Sequence, residues 1–254
     1  MITLKELYNK FSERIPEELR EGWDNDGMMC CADASAQPQR VLISLDVTEE
    51  IVDYAIESDF DLIISHHPLI FKPLGAITED NHVARKVIKL LANGISVFSF
   101  HTRADKVSGG VNDTLCDHIG LLSTTPFGEG GLGRIGTLDE PQSLEDFAAR
   151  IKLSLGADTV RFADALNTVK RVAVLGGDGK DYVKAAIAEG ADTYISGRIS
   201  YNMMEEAAEL GINLIEAGHY FTEQPVTEFF RSLVMEYSPD SHVEIATSNN
   251  IRVL

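Results

Sequence analysis

Residues 40–67 and 171–198 are two versions of one strand–helix–strand unit, and this repeat constrains the fold more than any other feature of the chain. The first reads Arg40-Val-Leu-Ile-Ser-Leu-Asp-Val-Thr48, a helical stretch, then Asp61-Leu-Ile-Ile-Ser-His-His67. The second reads Arg171-Val-Ala-Val-Leu-Gly-Gly-Asp-Gly179, a helical stretch, then Asp192-Thr-Tyr-Ile-Ser-Gly-Arg198. They align without a gap. Arg40/Arg171, Val41/Val172, Val52/Val183, Ala55/Ala186, Ile56/Ile187, Asp61/Asp192, Ile64/Ile195 and Ser65/Ser196 are identical. Each copy continues into a helix, a Gly-Ile step (Gly94-Ile95, Gly211-Ile212), an apolar strand and a histidine.

Strands are expected at 40–45, 61–65, 95–100, 171–175, 192–196 and 212–217, with helices at about 48–58, 82–92, 180–189 and 200–210. Alternation of this kind gives crossover units and a largely parallel sheet in each half. Leu4, Leu7, Tyr8 and Phe11 have helical spacing and predict an amphipathic helix over 3–20; Trp23–Gly27 follows as a turn. Residues 134–170 read as a strand, a helix near 143–155 and a strand at 158–163. The chain closes with a helix at 225–237 and a strand at 241–254. The glycine-rich run Gly128–Gly133 is the expected boundary. The expectation is an α/β fold of two related lobes in a duplicated, pseudo-twofold arrangement, with a dinuclear metal site between them. The first lobe would take 1–127 plus 238–254 and carry His66, His67 and Asp105; the second, 128–237, would carry His219 and Glu223.

The chemistry follows the repeat. His66 and His67 end an apolar strand, and Pro68 prevents simple continuation. Open α/β sheets collect ligands and reacting groups at that carboxyl edge. Neighbouring residues on an extended chain point in opposite directions, so adjacent histidines suit two ions better than one. A packed or solvated turn is the competing explanation for such a pair. Both halves, however, add a His-x3-carboxylate just past a strand: His101 to Asp105, and His219 to Glu223. Five metal ligands are therefore expected: His66, His67, Asp105, His219 and Glu223. Imidazoles suit zinc, iron, nickel or copper, and a carboxylate can bridge two cations. The cofactor reading is two divalent ions per chain, with zinc, iron or manganese as candidates. A metal-bound hydroxide would be the nucleophile. His101 is the catalytic candidate, as proton shuttle, further ligand or orienting group. His82, His118 and His242 read as solvated or structural.

Weaker signals have plainer readings. Gly176-Gly-Asp-Gly179 suggests a phosphate-cradling loop, but lacks the Gly-x-Gly-x-x-Gly spacing and a following Lys-Ser/Thr; a tight strand-to-helix turn explains it better. Asp46 reads as helix-start chemistry sooner than as a partner that orients a metal ligand. Trp23, the single tryptophan, reads as core or interface filling. Arg134 and Arg198 are the best candidates for an anionic substrate group, with surface charge the slightly favoured alternative.

A net charge of −18 opposes nucleic-acid backbones and anionic membranes as general partners. No apolar run approaches the ~20 residues of a membrane span, and the first residues lack signal-peptide order. Cys30, Cys31 and Cys116 cannot all pair, which predicts reduced thiols and a cytoplasmic location.

Several motifs together resemble the NIF-three-like family, whose members are often labelled GTP cyclohydrolase 1 type 2 homologues. They are Trp23-Asp-Asn, Leu45-Asp-Val-Thr48, Ile64-Ser-His-His-Pro-Leu-Ile-Phe71, His101-Thr-x-x-Asp105, Gly133-Arg134, the 176–179 turn, Ile195-Ser-Gly197 and Gly218-His-x-x-x-Glu223. The resemblance implies a two-lobed protomer with two metals between its lobes, ligated by His66, His67, Asp105, His219 and Glu223, and a ring-like homohexamer. The chain departs from the family's pattern at Arg103 and Arg198, both adding positive charge near the expected mouth. The function expected is hydrolysis of a small, nucleotide-like or phosphate-bearing molecule. A non-catalytic metal-binding ring or regulatory scaffold is the alternative.

Overall fold

The computed structural model describes residues 2–252. Thr3 and Glu6 form a reciprocal capping box at the start of α1 (Leu4–Arg14), which buries Leu4, Leu7 and Phe11. The expected helix over 3–20 stops early because Pro16 disfavours helical geometry at Ile15 and offers no N–H; only a short 3-10 turn follows at Glu17–Leu19. Then come β1 (Gly27–Cys30), β2 (Arg40–Ser44), α2 (Glu49–Glu57), β3 (Leu62–Ser65), α3 (His82–Ala92), β4 (Ser96–Ser99) and α4 (Thr102–Lys106). The next stretch holds α5 (Val111–Ile119), β5 (Leu122–Phe127), β6 (Gly133–Gln142), α6 (Leu144–Leu155), β7 (Arg161–Ala163) and β8 (Val169–Leu175). It continues with α7 (Val183–Ala188), β9 (Thr193–Ser196), α8 (Tyr201–Leu210), β10 (Asn213–Glu216) and α9 (His219–Glu223). The described chain ends with α10 (Val226–Tyr237) and β11 (His242–Ile245).

The chain divides into two units at Val107/Ser108 and again at Val226/Thr227. The first holds a five-stranded sheet in the order β1-β4-β3-β2-β11, parallel except for β1. Leu42, Ile63 and Val97 pack on one face against Ile51, Val52 and Ala55 of α2 and Val87 and Leu90 of α3. Phe11 and Phe230 lie 5.2 and 6.1 Å from the Phe100 ring. The second unit holds a six-stranded sheet, β5-β6-β8-β9-β10-β7, with a parallel centre of β8, β9 and β10. Alternation along β8 sends Val172 and Val174 into a core with Phe147 and Ile151 of α6, and Ala173 and Leu175 into one with Val183 and Ala186 of α7.

The repeat holds down to single hydrogen bonds. Val41 pairs with Leu62 and Ser44 with Ser65; the aligned residues pair as Val172 with Thr193 and Leu175 with Ser196. The Asp61 carboxylate accepts from the amides of Gln39 and Arg40 at 2.7 and 2.8 Å. Asp192 accepts in the same way from Lys170 and Arg171. Arg40 Nε donates to the Ser58 carbonyl, as Arg171 Nε does to that of Glu189.

Three further expectations shift. Phe127 pairs with Gly133, so Gly128–Gly133 closes a hairpin inside the second unit, and the division falls earlier, before α5. Most of α10 belongs to the first unit, where Phe230 meets Phe100. The closing strand expected over 241–254 spans only His242–Ile245, because β2, which it pairs with, has ended; positions 253 and 254 lie outside the described residues.

The duplicated aspartates should contribute alike. Asp61→Ala and Asp192→Ala each remove the acceptor of two backbone amides, and each is expected to cost about 1–2 kcal/mol in urea unfolding. A loss at one site with none at the other would show that the repeat is not energetically matched.

Candidate metal centre

In the first unit β3 and β4 run parallel and end level, Ser65 opposite Ser99. The residues just beyond them are therefore neighbours. His66 is fully buried, and its Nδ1 lies 3.0 Å from the Phe100 carbonyl. A carbonyl only accepts, so Nδ1 donates to it, and in the neutral ring Nε2 carries the lone pair; Nε2 lies 3.6 Å from Asp105 Oδ1. His67 Nδ1 lies 2.8 Å from Asp46 Oδ1, and His101 Nδ1 lies 2.8 Å from Asp24 Oδ1. One ligand atom from each of His66, His67 and His101 falls within 4.8 Å of the other two. Each imidazole is thus oriented at Nδ1 by a carboxylate or carbonyl. That is the arrangement in which outer partners fix the tautomer of metal-binding histidines and raise their basicity.

The Asp24 side chain is buried and also accepts from Thr102 Oγ1 at 2.7 Å and from its amide at 3.1 Å. Burial alone would raise its carboxyl, but the bonds with His101 and Thr102 outweigh it and hold Asp24 well below the usual carboxylate range. Asp26 accepts from the His101 amide and from Arg103 Nε, both at 3.0 Å. Burial raises its carboxyl, against the opposing pull of Arg103. Arg103 is itself fully buried, donating also to the Ile15 carbonyl and lying 4.6 Å from the Phe100 ring centroid. It adds no charge to a mouth. It braces the turn that delivers His101.

In the second unit His219 opens α9 just past β10, and its Nε2 lies 2.9 Å from Glu223 Oε2 one turn on. Glu223 is buried, whereas the His219 side chain is 44% exposed. The glycine-rich turn is the seat of this helix. A Cβ on Gly177 would lie 2.1 Å from Glu223 Oε1, and one on Gly197 only 2.6 Å from His219 Cα and Thr222 Oγ1. The amides of Gly176, Gly177 and Gly179 donate to Asn112, Thr222 and Ser196. They are spent inside the fold, so the loop is not a phosphate cradle. Gly177 also has a φ of +69°, as the turn reading requires.

The sheet registers refine the match between the halves. The amides of Phe100 and Ala217 donate to Ser65 and Ser196, which aligns His101 with Gly218 rather than with His219. Both are helix N-caps, so Asp105 sits fourth in α4 and Glu223 fifth in α9.

Asp46 is no helix cap. Thr48 caps α2, and Asp46 orients His67. The signal was its place after β2, on the same edge as His67. Asp24 gives no such signal, lying far from His101 in sequence. Trp23 does not fill a core; it is 64% exposed. Arg134 is buried against Asp113 and the carbonyls of Gly131 and Gly133 and is unavailable to an anion. Arg198 is exposed, 3.5 Å from Asp178. His82, His118 and His242 are exposed and lie apart from the cluster. Cys30, Cys31 and Cys116 are free thiols, and burial pushes Cys30 up to about 12. Among the described residues no helix is long and apolar enough to cross a membrane.

Residues 2–252 match the Duf34/NIF3 (NGG1p interacting factor 3) family. A Clostridium perfringens protein named GTP cyclohydrolase 1 type 2 homolog is 35% identical, with 98% of this chain and 97% of the relative aligned. The crystal structure of a Staphylococcus aureus hypothetical protein superposes with a TM-score of 0.89 at 27% identity, covering 99% of both chains. A Bacillus cereus protein related to NIF3 gives a TM-score of 0.88 at 25% identity, covering 100% of this chain and 99% of that one. Both share the mixed α/β fold with two sheets.

The glycine seat can be tested directly. Gly177→Ala adds a Cβ where Glu223 stands and a left-handed strain to its backbone. It is expected to lower metal content measured by elemental analysis while circular dichroism keeps the α/β signature. Undiminished metal content would show that Glu223 does not depend on the turn.

Proposed function

Because this chain belongs to the Duf34/NIF3 family, we propose that it is a hydrolase that uses two divalent ions on a small, nucleotide-like or phosphate-bearing molecule. The observation that carries this reading is the trio His66, His67 and His101, each fixed at Nδ1, with ligand atoms gathered within 4.8 Å. Of the three, His66 and His67 join carboxylates in a donor set that fits zinc or iron. The name carried by the Clostridium perfringens relative supports the substrate class.

In this reading His66, His67, Asp105, His219 and Glu223 are the protein ligands of the two ions. The bound pair would supply Lewis acidity and activate water at neutral pH. Asp46 keeps His67 in the ligating tautomer. His101, held by Asp24, presents Nε2 to hold or move a proton at the reacting group. Five protein ligands shared by two ions leave coordination positions open to substrate, which favours turnover over a closed structural site. We extend the same reading to a homohexamer.

Elemental analysis of anaerobically purified protein should find about two ions per chain, and Glu223→Ala should lose at least one. Retention of both in that variant would contradict the ligand set. A hydrolysis screen over guanine nucleotides and a metabolite pool should give a product that disappears on chelation and in His67→Ala. Metal without any turnover would favour the scaffold reading. Light scattering at micromolar concentration should give the mass of a hexamer; a monomer mass would rule out the assembly.

A further inference from the structure

The single tryptophan of the chain is held beside the histidine cluster with its ring in solvent. Trp23 is 64% exposed and Phe71 43% exposed. Their ring centroids lie 6.2 Å apart, and they stand 6.2 and 6.1 Å from the His101 ring, each edge-to-face with it. His67 continues the row, 5.6 Å from His101. Large aromatic side chains are usually mostly buried, and an exposed one next to a reactive cluster calls for an explanation.

The turn that carries Trp23 is not loose. The next residue, Asp24, binds the His101 ring and Thr102, and Asn25 Nδ2 donates to the Ile70 carbonyl beside Phe71. The Glu21 amide donates to Thr102 Oγ1. Polar side chains on both loops of the cluster therefore set where the two exposed rings stand. Fixing aromatic faces in advance removes much of the ordering entropy that a flat ligand would otherwise oppose.

We propose that Trp23 and Phe71 form the recognition face for a planar nitrogen heterocycle carried by the ligand that reacts at the histidine cluster. The inference rests on the reading of that cluster as the reacting centre. A π-faced ring gains stacking on Trp23 or Phe71 while its polar edge reaches toward the His101 and His67 rings. The buried Arg103 holds Asp26, which accepts from the His101 amide.

The lone tryptophan makes the test direct. Its fluorescence is titrated with guanosine, adenosine and ribose 5-phosphate on protein of measured metal content. Saturable quenching by both nucleosides and none by ribose 5-phosphate is expected. Phe71→Ala should weaken it at least about fivefold with metal content unchanged, as loss of a stacking partner requires. No saturable quenching by the nucleosides, or equal quenching by ribose 5-phosphate, would overturn the proposal. So would a fall in solution mass for Trp23→Ala, which would give this face to a second copy of the chain. Metal content of His66→Ala, measured in parallel, reports on the cluster itself, so failure of the metal reading is recognised separately from failure of ring binding.

Discussion

Parallel pairing in matched register is the constraint on which the functional geometry depends. β2, β3 and β4 are paired so that Ser44, Ser65 and Ser99 end on one line. Whatever follows those strands is gathered on a single edge. Asp46 comes off the first strand, His66 and His67 off the second, and His101 off the third. Short polar contacts then tie the exits together: Ser65 Oγ lies 2.9 Å from Ser99 Oγ, and Ser65 Oγ donates to the His67 carbonyl. A slip of one residue would reverse the face of every side chain on a strand and disperse the cluster.

The second unit solves the same problem with different parts. β8, β9 and β10 repeat the register, but after β9 the positions of His66 and His67 are taken by Gly197 and Arg198. Glycine there makes room for α9, and Gly177 makes room for Glu223. One half thus presents three imidazoles, and the other surrenders side-chain volume to seat a histidine and a carboxylate. The divergence explains why the duplicated sequences agree best in the strand and helix cores, where packing is shared, and least at the exits.

Much of this was legible in the sequence, for identifiable reasons. Ile63, Ile64, Val172 and Val174 sit in apolar runs bounded by Gly and Asp, so their strands and the α2, α3 and α8 helices were placed to within a residue or two. β1, β5, α5 and the short α4 and α9 were missed. β1 and β5 are edge strands with mixed burial, and a five-residue helix shows no period to detect. The candidate ligands were legible because His-His follows one strand and a His-x3-carboxylate follows a strand in each half. Their supports were not. Asp24 reaches His101, and Arg103 reaches Asp26, only through the tertiary fold, and identical His-x3-carboxylate spacing concealed the one-residue offset between His101 and His219.

Imidazoles fixed at Nδ1 are proposed to bind metal through Nε2. X-ray absorption on the zinc-loaded protein tests this most directly. Nitrogen neighbours at about 2.0–2.1 Å with the outer-shell scattering of imidazole rings are expected, diminished in a His66→Ala, His67→Ala double variant, which keeps only His219 of the proposed imidazole ligands. A shell of oxygen alone, unchanged by removing both histidines, would contradict the proposal.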